Sequence, residues 1–277
     1  MSSLKNLVSL NLARFNRIRR KPLLEVLTFL VKRSRQALIH IRDRIRLLFG
    51  PIQLSDKQFF GKLDLESSNL IHVKNEVEKE NFEIAKAELS AYMRVRTSPL
   101  FYFNKKEKKK LITVLNKNFP QSKKRTIEFA EKVLKHEFDL LGKKVSFGDN
   151  IDWHYNNENN ERWPLSFSPN IDYFSSNRRG DIKIPWELNR TQHFMVLGRA
   201  YWFTGDEKYA KEFVSQFLDW ITHNPYKLGI NWMEGIEASI RMFSWIWSYH
   251  FFLDSEYFSE KVHIEFLKSI YFHANFI

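Results

Sequence analysis

The sequence predicts an all-α protein assembled from antiparallel helical hairpins, and three observations carry that expectation. Gly and Pro number only 9 and 8 in 277 residues, about half the usual ~12% combined share, so helix breakers are few. Leu, Lys and Glu fill long stretches whose apolar residues recur at three- and four-residue spacing, the period of one helical face. The turns between the later stretches are short and punctuated. Thr204-Gly205-Asp206 closes one helix and caps the next, with Asp206 as the expected N-cap, and Asn224-Pro225 is a stop. Repeated hairpins of this kind build a bundle, a solenoid or a toroid.

In chain order, residues 1–75 read as a basic helical extension and a linker, the linker over 50–75, and residues 76–277 as the helical domain. Helical patterns cover about 76–96, 105–117 and 122–141, the last stopped by Gly142. Residues 143–184 lack helical period and hold Trp153, His154, Tyr155, Trp163, Phe167, Tyr173, Phe174 and Asn177 among polar residues. So long a connection is functional or disordered, and its aromatics predict an ordered loop packed along one face. Pro185 opens a helix to about Phe203, a second spans 207–223 and a third 232–252.

Charge is concentrated at one end. Residues 1–50 hold twelve Lys/Arg against Glu25 and Asp43, so that segment is +10 of the net +12. Leu23, Leu24, Leu27, Leu30, Val31, Leu38, Ile41, Ile45 and Leu48 recur at helical spacing among those cations. Such a basic amphipathic helix packs locally or lies on an anionic membrane surface. With no nucleic-acid motif beside it, no nucleic-acid partner is expected. No run of about 20 apolar residues offers a membrane-spanning helix, and Leu7–Leu12 lacks the cleavage site of a signal peptide. Compartment stays open, with cytoplasmic or membrane-peripheral placement favoured. With no Cys, disulfides, thiolate zinc sites and cysteine nucleophiles are excluded. The His residues do not pair with acids at metal-ligand spacing, and no phosphate or dinucleotide loop occurs, so neither metal nor cofactor is expected.

Two constellations could carry chemistry. Trp186, Asn189, Arg190 and His193 fall at spacings that share one helical face. A stacking ring, an amide, a cation and an imidazole together suit an acidic sugar; equally, they suit a capped helix start bonded to its loops. In the helix over 232–252, Glu234, Glu237, Arg241, Ser244 and Ser248 line one stripe of an otherwise apolar surface. A helix that is apolar nearly all round is a buried one, and buried charges need partners or a wet cavity. The stripe therefore forms an internal Glu237–Arg241 pair, faces a cleft, or does both.

An ordered series of short motifs resembles a known family. Ile151-Asp152-Trp153-His154, Arg162-Trp163-Pro164, Asp172-Tyr173 and Asp181 through Arg190 come first. Gln192-His193, Leu197-Gly198, Ala200-Tyr201-Trp202, Thr204 through Ala210, Asn224-Pro225, Asn231-Trp232, Glu237, Arg241 and Trp245-Ile246-Trp247 follow. Together they resemble the N-terminal helical domain of the heparinase II/III-like polysaccharide lyases, from about residue 120 onward and most strongly over 150–250. The resemblance implies an (α/α) toroid, here incomplete, followed in the family by a β-sandwich domain. It implies β-elimination on uronate-containing polysaccharide, an acidic-polysaccharide partner, a periplasmic placement, and glycan contact through Asn189, Arg190, His193, Trp232, Glu237, Arg241, Trp153 and His154. It also places the family's Asn/His motif, and its Tyr and later His, beyond Ile277. His273 and Asn275 do not form that motif, so the chain alone is expected to be inactive.

Overall fold

A computed structural model describes residues 23–99, 101–173 and 180–277. The chain divides into two compact units, residues 1–52 and 53–277.

Within the first unit, α1 (Leu23–Leu47) is a single 25-residue helix. Leu24, Leu27, Leu30, Val31, Leu38, Ile41 and Ile45 are all exposed on it. The remainder of the basic extension, residues 1–22, lies outside the described residues.

The second unit begins earlier than the sequence pattern indicates. The stretch read as a linker contains α2 (Asp56–Phe60), closed by a capping box between Ser55 and Gln58. Phe59 and Phe60 are 1% exposed and pack with Val73, Ala85, Leu89 and Ile264. The pattern over 76–96 is two helices, α3 (Ile71–Glu78) and α4 (Phe82–Val95), broken where Glu80 takes a positive φ. Helices α5 (Lys108–Asn118) and α6 (Ser122–Val133) follow. The helix expected to run to 141 stops at Val133, because Phe138 and Leu140 alternate with exposed residues as a strand requires. β1 (Glu137–Leu140) pairs antiparallel with β2 (Lys143–Ser146). Leu141 and Gly142, at φ 54° and 83°, form the two-residue turn between them. Gly142 is thus a hairpin residue and not a helix stop.

The long connection is ordered wherever it is described. β3 (Tyr155–Asn156) and β4 (Glu161–Arg162) form a small hairpin. Trp163, Ile171, Ile182, Trp186 and Ile230 bury together, and Ser168 N–H donates to Lys227 O at 3.0 Å. Phe174 and Asn177 lie outside the described residues.

α7 (Lys183–Asn189) and α8 (His193–Thr204) replace the one helix expected from Pro185 to Phe203. The break is at Thr191, which takes φ 50°. Gly205, at φ 73°, ends α8 as expected. The N-cap of α9 (Lys208–His223) is Glu207, one residue after the expected Asp206, whose carboxylate accepts the Lys208 N–H at 3.0 Å. A 3₁₀ turn over Ile230–Trp232 precedes α10 (Gly235–Phe252), and Ser259 caps α11 (Glu260–Phe276). α8 is the central helix, contacted by α6, α9 and α10. At Gly198 an added Cβ would meet the Phe251 ring at 2.5 Å, so α8 and α10 approach at a distance only glycine permits. The fold is all-α in substance, with antiparallel hairpins around one aromatic core.

Candidate functional site

α10 carries its polar stripe inward. Glu237, Arg241, Ser244 and Ser248 are buried, whereas Ile236 and Phe243 on the other face are 65% and 53% exposed. Ser244 and Ser248 satisfy their hydroxyls on the carbonyls four residues back. The two charged members find separate partners, so the expected Glu237–Arg241 pair does not form.

Arg241 is the centre of a buried polar hub. Its guanidinium carbon sits 4.3 Å from the Trp220 ring centroid and 5.3 Å from that of Trp232. Nε donates to His273 Nε2 at 2.8 Å, and Nη2 to Asn231 O at 3.0 Å. His273 Nδ1 donates to Ser269 O at 2.7 Å, so its other nitrogen is the acceptor and the ring is neutral. Burial, with Arg241 beside it, holds the His273 pKa well below the usual imidazole value. Burial likewise lowers Arg241 to about 9, against the opposing pull of Glu237.

Asn189 completes the hub. Its amide nitrogen donates to Trp153 O and Pro185 O, both at 2.7 Å. Its oxygen accepts from Trp220 Nε1 and Asn231 Nδ2, both at 2.8 Å. All four hydrogen-bonding positions of the amide are used. Trp232 Nε1 donates to Asn224 O at 3.0 Å, and Trp153 Nε1 to Asp219 Oδ2 at 2.6 Å. Asn189, Trp232, Arg241 and Trp153 are each at most 3% exposed.

A second cluster lies on the rim, where α7 ends and α10 begins. Arg190 grips Glu237 with both forks, Nε to Oε2 at 2.8 Å and Nη2 to Oε1 at 2.9 Å, and reaches Glu187 through Nη1 at 2.5 Å. The bond to Glu237 raises the Arg190 pKa further. Arg190 and Glu187 each leave a quarter of the side chain open to solvent. Beside them Tyr173 O–H donates to Glu234 Oε1 at 3.1 Å.

The break at Thr191 disperses the four residues expected to share a helical face. Trp186 caps the 3₁₀ turn by donating to Ile230 O, Asn189 enters the hub and Arg190 the rim. His193 turns elsewhere, donating to Gln216 Oε1 at 2.8 Å, and burial lowers its pKa to about 4. His154 is also apart. Its Nε2 donates to His223 O at 3.0 Å, burial lowers its pKa, and its ring lies where a Cβ on Gly229 would be.

The family described as Heparinase II/III N-terminus matches residues 59–277, most of the chain and nearly all of the second unit. The chain belongs to that family. Among its relatives, the heparin-sulfate lyase of Bacteroides stercoris is 30% identical over 170 residues, 53% of this chain and 22% of that protein. That of Pedobacter heparinus is 27% identical over 230 residues, 79% of this chain and 30% of that protein. The crystal structure of heparan sulfate lyase HepC from Pedobacter heparinus superposes with a TM-score of 0.57 at 26% identity, covering 81% of this chain and 32% of that one. The chain thus spans under a third of these relatives, and its helical hairpins correspond to part of an (α/α) toroid.

In this heparinase N-terminal domain the hub and the rim do different work. The hub's side chains are buried, and their bonds hold α7, α9, α10 and α11 together. At the rim, Arg190 makes three of the five bonds that its N–H groups can make, and, among the described residues, one oxygen each of Glu187 and Glu234 is left without a bond. Spacing alone does not assign several residues of the hub to it. Asn231, Asn224 and Trp220 carry no spacing signal, because their partners lie on other elements. Glu187 was findable, since it precedes Arg190 by three residues on one helical turn.

Proposed function

We propose that this chain is the N-terminal toroid portion of a polysaccharide lyase acting by β-elimination on a uronate-containing glycosaminoglycan. The observation that carries the proposal is the match over residues 59–277, together with heparin-sulfate lyase relatives. In the reaction, a neutralising donor at the uronate carboxylate acidifies the C5 proton, and a base removes it. The C4–O4 bond then breaks, a C4–C5 double bond forms, and an acid protonates O4. Of the groups expected to contact glycan, Arg190 fits a cleft wall, held in place by the buried Glu237, with Tyr173, Glu187 and Glu234 beside it.

These residues position sugar without performing the elimination. Among the described residues, His193, His263 and His273 are buried imidazoles with lowered pKa values; both nitrogens of His263 and His273 are bonded, as is Nε2 of His193. The Asn189 amide is fully used. We therefore expect the isolated chain to be inactive. The test is ultraviolet detection of unsaturated uronate on heparan sulfate and alginate, with the isolated chain and with the protein from its native source. Product from the native-source protein alone supports the reading. Product from the isolated chain overturns its inactivity, and product from neither overturns the lyase assignment.

A second reading concerns α1 by itself, as an attachment to an anionic membrane surface. It rests on the exposed apolar residues of that helix, which carries Lys32, Arg33, Arg35, Arg42, Arg44 and Arg46 against Glu25 and Asp43. Co-sedimentation with phosphatidylserine vesicles that weakens with salt supports it; equal recovery with neutral vesicles removes it.

A further inference from the structure

The rim is acidic overall, with Glu187, Glu234 and Glu237 against Arg190, so a polyanionic ligand needs its counter-charge elsewhere. One open groove supplies it. Between the start of α6 and the outer face of α8 lies a groove of about 560 Å³, lined by Phe119, Gln121, Arg125, Phe129, Val196 and Arg199 among others, a volume in the range that holds small ligands. No carboxylate lines it. Phe119 and Phe129 are 61% and 40% exposed, so ring surface beside the two cations is open to a ligand.

The two cations are unspent. Among the described residues neither Arg125 nor Arg199 has a side-chain hydrogen bond or an ion pair. Arg199 keeps exposed surface, yet the protein around it lowers its pKa through desolvation, with no carboxylate opposing. A partly desolvated guanidinium without a counter-charge is a better anion ligand than a solvated one, because less water must be displaced when the anion arrives. Beside it, Phe119 and Phe129 offer flat apolar faces of the kind that cover a sugar ring.

We propose that this groove is a second glycan site, separate from the rim, in which Arg125 and Arg199 bind a sulfate or carboxylate of an acidic oligosaccharide whose ring lies on Phe119 or Phe129. The site deepens the lyase reading by naming where the chain's substrate class is held by charge. It acts as a holding site and performs no bond chemistry.

The test is calorimetric titration of the intact chain with a heparin-derived sulfated hexasaccharide, a hyaluronan hexasaccharide of equal length, and sodium sulfate alone. The R125Q/R199Q double variant is expected to bind the sulfated hexasaccharide about tenfold more weakly, with a shallower salt dependence, while its thermal midpoint stays unchanged. Lys123→Gln, a neighbour outside the groove, is the control and should bind as the parent does. Phe119→Ala should weaken both hexasaccharides and leave sulfate binding unchanged. Tighter binding of the sulfated chain assigns sulfate as the anion, and equal binding assigns the carboxylate. A double variant that binds as tightly as the parent overturns the site, as does binding of free sulfate alone. Failure of the lyase reading reads out separately, as oligosaccharide binding that persists while the native-source protein makes no unsaturated product.

Discussion

The hub and the rim are each centred on one guanidinium, that of Arg241 and that of Arg190, yet the two obey opposite rules. Arg241 is wholly buried with no carboxylate bonded to it, and its charge is spread over two indole faces, an imidazole and backbone carbonyls. Arg190 is paired twice over with carboxylates and still partly open. In the hub most polar groups are held by partners on other elements, so their bonds tie α7, α9, α10 and α11 together. In the rim the pair leaves donors and acceptors unspent on the solvent side. A charged residue on an apolar helix is thus informative about function only once its partners are known.

The largest expected effect breaks the hub. Arg241→Ala should cost about 3–5 kcal/mol of stability, because it leaves a cavity and strands the acceptors of His273 and Asn231. Asn189→Ala should fall in the same range, and for both any loss of glycan binding should track the folded fraction measured by urea unfolding. Binding lost from a fully folded Arg241→Ala protein would move the hub into the functional site.

Next in size is the acid response. His193 and His263 have folded pKa values of about 4 and about 3, both below the unfolded value. The unfolded chain therefore binds protons that the folded chain refuses, and stability falls as pH drops from about 6.5 toward 4. For His193, in contact with Gln216 and facing Glu212 and His136, the full loss is on the order of 3 kcal/mol. The urea midpoint should drop through that window, less steeply in His193→Gln; a midpoint independent of pH there contradicts the burial argument.

The smallest effect on stability, and the sharpest for the comparison, is Arg190→Gln. It should cost about 1–2 kcal/mol by leaving Glu237 unpaired, and, under the proposed lyase function, it should raise the KM of the native-source protein while the protein stays folded. Unchanged KM would make the rim structural too.

Periodicity and turn residues made most helices legible, and Gly205 and Asn224-Pro225 marked their ends well, with Asp206 one residue from the cap. Three features misled. Glu80 and Thr191 adopt positive φ, which no side-chain pattern at those positions announces, so one helix was read where two exist. Phe138 and Leu140, across a two-residue turn from Val145, alternate over too few residues to outweigh the helical pattern before them. The linker reading of 50–75 missed Phe59 and Phe60, whose burial depends on Ile264, some two hundred residues away.

By itself the sequence determined the fold class, the family and the stock of candidate polar residues, because helical period, caps and ordered motifs are local and survive in one dimension. Which of those residues face inward was decided by tertiary structure alone. Glu237 and Arg241 lie one turn apart and could have paired. They part because Arg190, turned by the break at Thr191, offers Glu237 a two-pronged partner, while Trp220, Trp232 and His273 from other elements enclose Arg241. Partner choice among buried charges is set by contacts distant in sequence, and those contacts exist only once the helices are packed.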